Sequence, residues 1–363
     1  MSEEQPTSTA PPAPAPAPAP EPEAAPTSTA APQKESKTEP EPEPEAPAPA
    51  PASAPAAEAK EEEGEAPAKP QPGKLEGFTG PEEDLTPIQD LYRICDAHIH
   101  PEIWGVTLAD PSTHVPTQIV LQKFLNANDG DLVKAKTQLI ETLDWRMRTK
   151  PLELIEKTYS KEKFGGLGYV TIHATEGDEK EGDEKKEKAR EVFTWNVYGN
   201  VKSIDVTFGD LQEFINWRVA LMEQALQELS IATATEPITS DPDADPYKIF
   251  QVHDYKGVSF LRQAPQVKAA STKTIRVFAS VYPELLKEKF FVNVPAVMGF
   301  MYGFMKLFVA ARTIKKFHPM SNGGNLAKED FGGSKAPLLQ TLPPEYGGKG
   351  ADLKTQGTEP LLA

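Results

Sequence analysis

Cysteine, basic charge and long apolar runs are scarce in this 363-residue chain. Its single cysteine, Cys95, excludes an internal disulfide and is typical of a reducing compartment. The net charge is −16, which argues against a nucleic-acid partner because phosphate contacts need a concentrated basic face. No run approaches the roughly eighteen apolar residues of a membrane span, and the sequence after Met1 is unlike a signal peptide. The sequence therefore predicts a cytoplasmic protein without a transmembrane segment.

Large apolar residues are almost missing from residues 1–80, where only Met1, Leu75 and Phe78 occur. Pro, Ala, Glu, Ser and Thr dominate this segment. Fifteen Glu against five Lys give it −10 of the net charge of −16. Such a composition cannot bury enough surface to offset its chain entropy. We therefore expect residues 1–80 to form a disordered tail, locally extended like polyproline.

Apolar residues recur with the helical period from Leu85 to about Tyr159. Asp131 is the predicted N-cap of one of these helices, and Pro151 is expected to close or kink it. The pattern predicts a small helical domain over residues 81–160. No chemistry is apparent in it, since His98 and His100 precede a proline in a predicted loop and lack a second metal-ligand pair.

The period changes from Phe164 onward, where strands alternate with helices. This alternation predicts an α/β domain with a mixed, mainly parallel sheet over residues 161–350. Residues 351–363 are predicted to form a disordered C-terminal tail. The predicted strands cover residues 166–174, 192–200, 248–260, 289–295 and 313–320, and the predicted helices of this domain cover 210–229 and 269–286.

Residues Met298 to Ala311 are apolar or aromatic on nearly every side of a predicted helix, with Lys306 as the only charge. One interpretation is a fully buried core helix. The other is a helix that covers a lipid-sized cavity and rests on a membrane surface. Gly299 and Gly303 provide adaptable backbone for such a gate.

The stretch KIFQVHDYKGVSF, residues 248–260, is the most informative part of the chain. In a strand, alternate side chains face opposite sides, so Phe250 and Val252 share one face. His253 and Tyr255 share the other, roughly 6.6 Å apart at about 3.3 Å per residue. Both can point at a ligand in a cavity, and a tyrosine phenolate is an axial ligand of haem iron in some proteins. The alternative is a pair of core residues whose polar tips find backbone partners.

Several motifs together resemble the CRAL-TRIO lipid-exchange family. They are HDYKGVS at 253–259, VYPELLKEKFFVNVP at 281–295, the aromatic helix behind it and LPPEYGGKG at 342–350. The likeness covers about residues 85–350, and its most specific part runs from Tyr282 to Pro295. It implies the CRAL-TRIO fold, in which a small helical domain precedes an α/β lipid-binding domain closed by an apolar gating helix.

Within that family, VHDYKGVS, FINWRVALMEQ and TWNVYG resemble the fungal non-classical phosphatidylinositol transfer proteins that bind haem. Other branches usually carry an apolar residue at the position of Tyr255. The resemblance implies that Tyr255 is the axial ligand of haem b iron and that His253 contacts the haem or holds the tyrosine. Arg218 and Lys289 would face haem propionates, or in the case of Lys289 an inositol phosphate. Tyr198 would add a polar tip to the pocket wall.

Each assignment has a plainer alternative. Arg218 could form an ordinary salt bridge, Tyr198 could be a sheet tyrosine, and Lys289 could be a solvated lysine at a strand end. If Arg218 faces the cavity, its positive charge lowers the pKa of the Tyr255 phenol, since opposite charge favours the ionised form.

Four functions follow from these observations. The first is phosphatidylinositol transfer, with peripheral association to the endoplasmic reticulum membrane and phosphoinositide homeostasis implied by the resemblance. The second is haem binding in the same cavity, for sensing, buffering or oxidant-stress response. A haem-dependent, peroxidase-like enzyme is disfavoured because no separate distal acid and base pair is visible, so we expect a non-enzymatic protein. The fourth is an interaction module with an extended Pro-rich arm.

Overall fold

A computed structural model of the chain describes residues 85–174, 190–258, 264–295, 311–329, 331 and 335–363. The predicted N-terminal tail and all but the last residue of the predicted gating helix lie outside these residues. The described residues belong to one compact unit.

The helical part begins with four helices. They are α1 (Pro87–Ala97), α2 (Val115–Ala127), α3 (Leu132–Thr149) and α4 (Pro151–Glu156). The prediction that Asp131 caps α3 is confirmed, because its side chain accepts a hydrogen bond from the backbone of Lys134. Pro151 ends the preceding helix and starts α4, since proline is tolerated in a first turn but not in a helix interior.

A short hairpin between α1 and α2 was not apparent from the sequence. It pairs β1 (Glu102–Ile103) with β2 (Val106–Thr107). Its turn is Trp104-Gly105, and both residues have positive φ, which suits a tight two-residue hairpin. The buried Trp104 ring stacks on Phe124 and donates a hydrogen bond to the carbonyl oxygen of Val281, tying the hairpin to the α/β part.

The central element is a five-stranded sheet within the described residues. Its strands are β3 (Gly168–Ala174), β4 (Arg190–Val197), β5 (Ile249–Asp254), β6 (Leu286–Val292) and β7 (Phe317–Pro319). They lie in sequence order, with β3 antiparallel to β4 and the other neighbours parallel. The predicted mixed, mainly parallel sheet is confirmed.

Besides the gating helix, the sequence predicted two helices in the α/β part, over residues 210–229 and 269–286. Seven are present among the described residues. They are α5 (Lys161–Phe164), α6 (Ile204–Phe208), α7 (Leu211–Glu228), α8 (Pro265–Val281), α9 (Ala311–Ile314), α10 (Lys335–Thr341) and α11 (Leu353–Gln356). Helix α8 starts and ends earlier than predicted, because proline suits its first turn and Tyr282-Pro283 disfavours continuing it. The strand predicted over 313–320 is shorter, since its first residues complete α9.

The two faces of the sheet pack against different layers. Phe250 and Val252 face one layer together with Phe193 and Trp195, where they meet Leu338 and other buried residues from the C-terminal part. The opposite face looks toward α7 and α8. This division confirms the predicted alternation along β5 and leaves His253 on the helix-covered side.

The C-terminal segment corrects one prediction, since the residues expected to be a disordered tail are built into the fold. Thr358 exchanges two backbone hydrogen bonds with Val170 of β3, at 2.8 and 2.9 Å. Leu361 and Ala363 bond in the same way with the backbone of Tyr159. The composition of this segment hides the reason: its order comes from backbone pairing with the distant residues Tyr159 and Val170, together with Leu353, which is buried in the core.

Candidate functional site

A cavity of about 930 Å³ lies between the helix-covered face of the sheet and helices α6, α7 and α8. Its helical lining follows one face of each helix. Phe214, Arg218 and Met222 recur every four residues on α7, and Ser271, Ile275 and Phe278 recur similarly on α8. Such spacing places side chains on one stripe of a helix. The volume lies in the range of small-molecule sites.

All five residues predicted as binding residues line this cavity: Tyr198, Arg218, His253, Tyr255 and Lys289. Strand β5 presents His253 to it. Tyr255 follows one residue after the strand ends, yet its backbone amide still donates to the carbonyl oxygen of Val292 at 3.1 Å. The strand direction therefore persists to Tyr255 and keeps its ring on the cavity side.

Four rings meet at one wall of the cavity: those of Tyr198, His253, Tyr255 and Phe291. The ring centre of Tyr198 lies 5.6 Å from that of His253 and 5.3 Å from that of Tyr255. Phe291 of β6 lies 5.6 Å from His253 and 6.4 Å from Tyr255. The two phenols therefore border the same space, with His253 beside them.

Arg218 is buried, with 3% of its surface exposed. Its Nη1 donates a hydrogen bond to the side-chain oxygen of Asn196, and its guanidinium lies 5.4 Å from the ring centre of Phe278. Within the described residues it forms no ion pair, which excludes the ordinary salt-bridge alternative there. Its Nε lacks a hydrogen-bond partner. Arg218 is thus a cation at the cavity whose N–H groups are not all used in hydrogen bonds within the described part of the protein.

Lys289 reaches the cavity from β6, opposite Gln251 of β5 in the strand register. Its ammonium group lies 5.4 Å from the ring centre of Phe291 and 5.6 Å from that of Phe317. Burial, together with the charge of Arg218, lowers the pKa of Lys289 to about 7. Lys289 is therefore not the solvated strand-end lysine of the alternative interpretation.

The titratable groups around the aromatic wall, Tyr198, His253, Tyr255 and Lys289, are shifted away from their charged forms. Burial raises the pKa of Tyr255 and of Tyr198, although the positive charge of Arg218 opposes both shifts. Burial, Lys289 and Arg218 hold the pKa of His253 well below its ordinary value. At neutral pH the wall therefore presents two phenols and a neutral imidazole, whose Nε2 is buried without a hydrogen-bond partner.

A second charged cluster on the cavity wall was missed by sequence reasoning. Glu284 lies at its centre, with Lys248, Arg312 and Lys316 at 3.4, 3.9 and 3.7 Å. The nearby positive charges lower the pKa of Glu284 against the effect of its burial. Three of these residues, Glu284, Arg312 and Lys316, line the cavity. The available signal was the basic run RTIKK at residues 312–316, most of which falls in the strand predicted over 313–320.

Asn196 is the other residue that sequence reasoning missed. It lies on β4, directly opposite His253 in the register, and is almost fully buried. A buried asparagine in an apolar strand is a signal in itself, because its amide needs a partner. Here that partner is Arg218.

Comparison with known proteins gives a consistent result. The CRAL/TRIO domain family matches residues 186–336. The Phosphatidylinositol transfer protein SFH5 of Chaetomium globosum is 66% identical over 277 residues, which are 76% of this chain and 62% of that protein. Its counterpart in Pyricularia oryzae is 64% identical over 280 residues, covering 77% and 68%.

A solved structure agrees with these relatives. The crystal structure of Sfh5 superposes with a TM-score of 0.58 at 28% identity, covering 76% of this chain and 89% of that one. This chain spans somewhat less than two thirds of the length of the Chaetomium protein. Because fold, cavity and sequence agree, the chain belongs to the CRAL/TRIO family and, within it, to the fungal phosphatidylinositol transfer protein SFH5 family.

Proposed function

We propose that this chain carries phosphatidylinositol in its cavity and transfers it between membranes. The observation that carries the proposal is the cavity of about 930 Å³, which combines apolar helix faces with a few placed charges. The names of the relatives support the choice of lipid. An apolar wall suits acyl chains, because burying them removes their surface from water.

The cluster around Glu284 suits the lipid headgroup. Lys316 and Arg312 line the cavity, and each lies just under 4.0 Å from the same carboxylate, so neither forms a close bidentate pair with it. A phosphate could take up the remaining donor capacity of both cations, and charge-assisted hydrogen bonds of this kind are strong. Glu284 itself could accept hydrogen bonds from inositol hydroxyls.

A transfer assay with two lipids tests this proposal. Labelled phosphatidylinositol and labelled phosphatidylcholine are offered in donor vesicles to the wild type, to Lys316→Gln and to Lys349→Gln, an exposed control outside the cavity. We expect Lys316→Gln to lower phosphatidylinositol transfer about tenfold through loss of a charge-assisted hydrogen bond. Absence of phosphatidylinositol transfer by the wild type would refute the proposal, and equal loss for both lipids would remove Lys316 from headgroup recognition.

The same cavity also suits haem b, which we propose as its second ligand. A tyrosine phenol is one of the axial ligands that haem iron accepts, and Tyr255 is the residue placed to provide it. Arg218 and Lys289, which lack carboxylate partners among the described residues, suit the two propionates. The buried Nε2 of His253 and Nε of Arg218 have no hydrogen-bond partner in the part of the protein that the structure describes. Both atoms are therefore available to bond to a ligand. The residues present therefore fit the group.

The roles of the chain in haem binding follow from its geometry. Tyr255 must lose its proton to bind iron, and the charge of Arg218 favours the phenolate. Tyr198 packs against both His253 and Tyr255, so it helps to hold the Tyr255 ring in place. Bound ferric haem would supply redox-active iron, and a role in haem buffering or oxidant-stress response belongs to this proposal.

Two tyrosine variants test the haem proposal. Tyr255→Phe removes the phenol oxygen but keeps the ring, and Tyr198→Phe is the matched control, since its ring lies 5.3 Å away in the same cavity. The absorption spectrum of protein loaded with ferric haem should change to that of weakly bound haem in Tyr255→Phe only. Equal spectra for the wild type and Tyr255→Phe would exclude Tyr255 as the ligand.

The cellular setting is part of the same proposal. We propose a cytoplasmic protein that associates peripherally with the endoplasmic reticulum and supports phosphoinositide homeostasis. Among the described residues, no helix has both the length and the apolarity needed to cross a membrane. Fractionation of cells that express the full chain tests the location: salt should release the protein from a microsomal fraction, and a protein that only detergent releases would contradict peripheral association.

A further inference from the structure

Lys289 carries a buried amine that faces the cavity, and no carboxylate of the described residues pairs with it. Its nitrogen lies between the rings of Phe291 and Phe317, at 5.4 and 5.6 Å from their centres. Throughout the described ranges, no carboxylate lies within 4.0 Å of it. The contrast with Lys316 is informative, since that lysine lines the same cavity but faces Glu284 at 3.7 Å and donates to the carbonyl oxygen of Leu286.

Two effects disfavour a positive charge on Lys289. Burial removes the water that would solvate its ammonium group, and the positive charge of Arg218 repels it. Enzymes that use a lysine as a nucleophile activate it by these two means, desolvation and an adjacent cation. The uncharged amine carries the lone pair that attacks a carbonyl carbon. The titratable groups nearest to it on this wall are His253, Tyr255 and Tyr198. Two carboxylates, Asp129 and Glu284, also line the cavity, but both lie beside Arg312 and neither is within 4.0 Å of Lys289.

We propose that Lys289 forms a covalent imine with long-chain aliphatic aldehydes that enter the cavity. The amine nitrogen bonds to the aldehyde carbon and gives a carbinolamine. The carbinolamine then loses its oxygen as one water molecule, which takes up both protons of the original amine. Aldehyde and amine thus become imine and water, no oxidant or reductant is needed, and hydrolysis reverses the step.

The shape and lining of the cavity select the aldehyde. Phe208, Val267 and Ile275 offer apolar surface for an alkyl chain, whereas a small polar aldehyde gains nothing there. This activity does not rest on lipid transfer or haem binding, because it needs only the cavity and the amine. A bound haem that faces Lys289 would block it, so the free and haem-loaded proteins should differ.

Reductive trapping tests the proposal. The full chain without haem is incubated with decanal and cyanoborohydride, which reduces an imine to a stable amine, and the modified lysines are mapped by peptide mass spectrometry. Lys134 is the internal control, because its side chain is 71% exposed. We expect decyl labelling of Lys289 to exceed that of Lys134 about tenfold or more. With acetaldehyde in place of decanal, the preference should largely disappear.

Two variants separate the site from its surroundings. Lys289→Arg keeps the charge and should remove one decyl group from the intact mass, whereas Lys316→Arg should leave the mass increase unchanged. Labelling of Lys289 no faster than that of Lys134 in the wild type would overturn the proposal, as would preferential labelling of Lys316. The comparison of Lys289 with Lys134 labelling is made on the wild type, so it remains valid even if a variant fails to fold. Failure of the vesicle or haem experiments would leave this result unaffected.

Discussion

Asn196 on β4 accepts a hydrogen bond from Arg218 on α7, and both side chains are buried beside the cavity. The bond ties the middle of a helix to the strand that neighbours β5. Among the described residues it is the one side-chain hydrogen bond of Arg218, so it sets where the guanidinium points. Changes at Asn196 should therefore act on both stability and ligand binding.

Asn196→Ala should lower the free energy of unfolding by about 2 kcal/mol, because a buried guanidinium loses its hydrogen-bond acceptor. Urea denaturation followed by tryptophan fluorescence measures this change. Asn196→Asp is the matched control, since it keeps an acceptor oxygen at the same place and should recover much of the loss. Equal stability of Asn196→Ala and the wild type would show that Arg218 finds another partner.

Glu223→Gln should destabilise the protein by about 1–3 kcal/mol, because the buried Arg146 loses one of its two carboxylate partners and keeps only Glu102. Glu223 accepts from Arg146 at 2.6 Å and from the hydroxyl of Tyr282 at 2.7 Å, and both Glu223 and Arg146 are fully buried. Glu153→Gln breaks the exposed Lys150 pair instead and should cost under about 1 kcal/mol. Thermal denaturation of the two variants side by side checks the contrast. Similar melting temperatures would contradict it.

The stability of the protein should fall as pH decreases from about 6.5 to 4, in part because of His173. Burial lowers the pKa of His173 to about 4, so in this range the unfolded chain binds a proton that the folded chain does not. The lost contribution amounts to about 3 kcal/mol. His173→Gln removes this term, and its free energy of unfolding should decrease less steeply with acidification. Parallel pH curves for the two proteins would show that His173 protonates without unfolding.

Gly199→Ala should shift the loop that carries Tyr198 and lower stability by about 1–3 kcal/mol. A Cβ atom at Gly199 would stand 2.0 Å from the backbone oxygen of Lys256, so one of the two loops must move. Since Tyr198 and Tyr255 flank these positions, the contact between their rings should be lost. Gly324→Ala is the control, because its Cβ would meet only the Asn322 side chain at 3.2 Å. Melting curves and haem affinity of both variants test this, and unchanged haem affinity in Gly199→Ala would contradict it.

The parts of the site that the sequence predicts are those set by local periodicity. Alternation along β5 was enough to place His253 and Tyr255 on one face, whereas Tyr198, Arg218 and Lys289 were predicted from the resemblance to the family, and all five line the cavity. The contact between Asn196 and Arg218 was out of reach, because it depends on how a helix crosses a strand. The charges around Glu284 come from three separate connecting segments and from helix α9, so no single stretch of sequence predicts the cluster.

The parts of the fold that were predicted less well are those set by distant backbone partners. Helix α8 was displaced by a few residues because its boundaries depend on two prolines more than on its apolar pattern. Residues 351–363 have the composition of a tail, and their order depends on pairing with β3 and with Tyr159, which are distant in the sequence. The composition of a segment indicates how much apolar surface it can bury. It does not show whether another strand can pair with its backbone.

The pairing of Thr358 with Val170 has a consequence for how this protein behaves at high concentration. Strand β3 is the first strand of the sheet, and an outer strand with unpaired amides and carbonyls is a template onto which a second molecule can add. The segment around Thr358 occupies that template in the middle of β3. This pairing therefore hinders a strand of a second molecule from adding to the β3 edge, which is how edge-to-edge aggregates form.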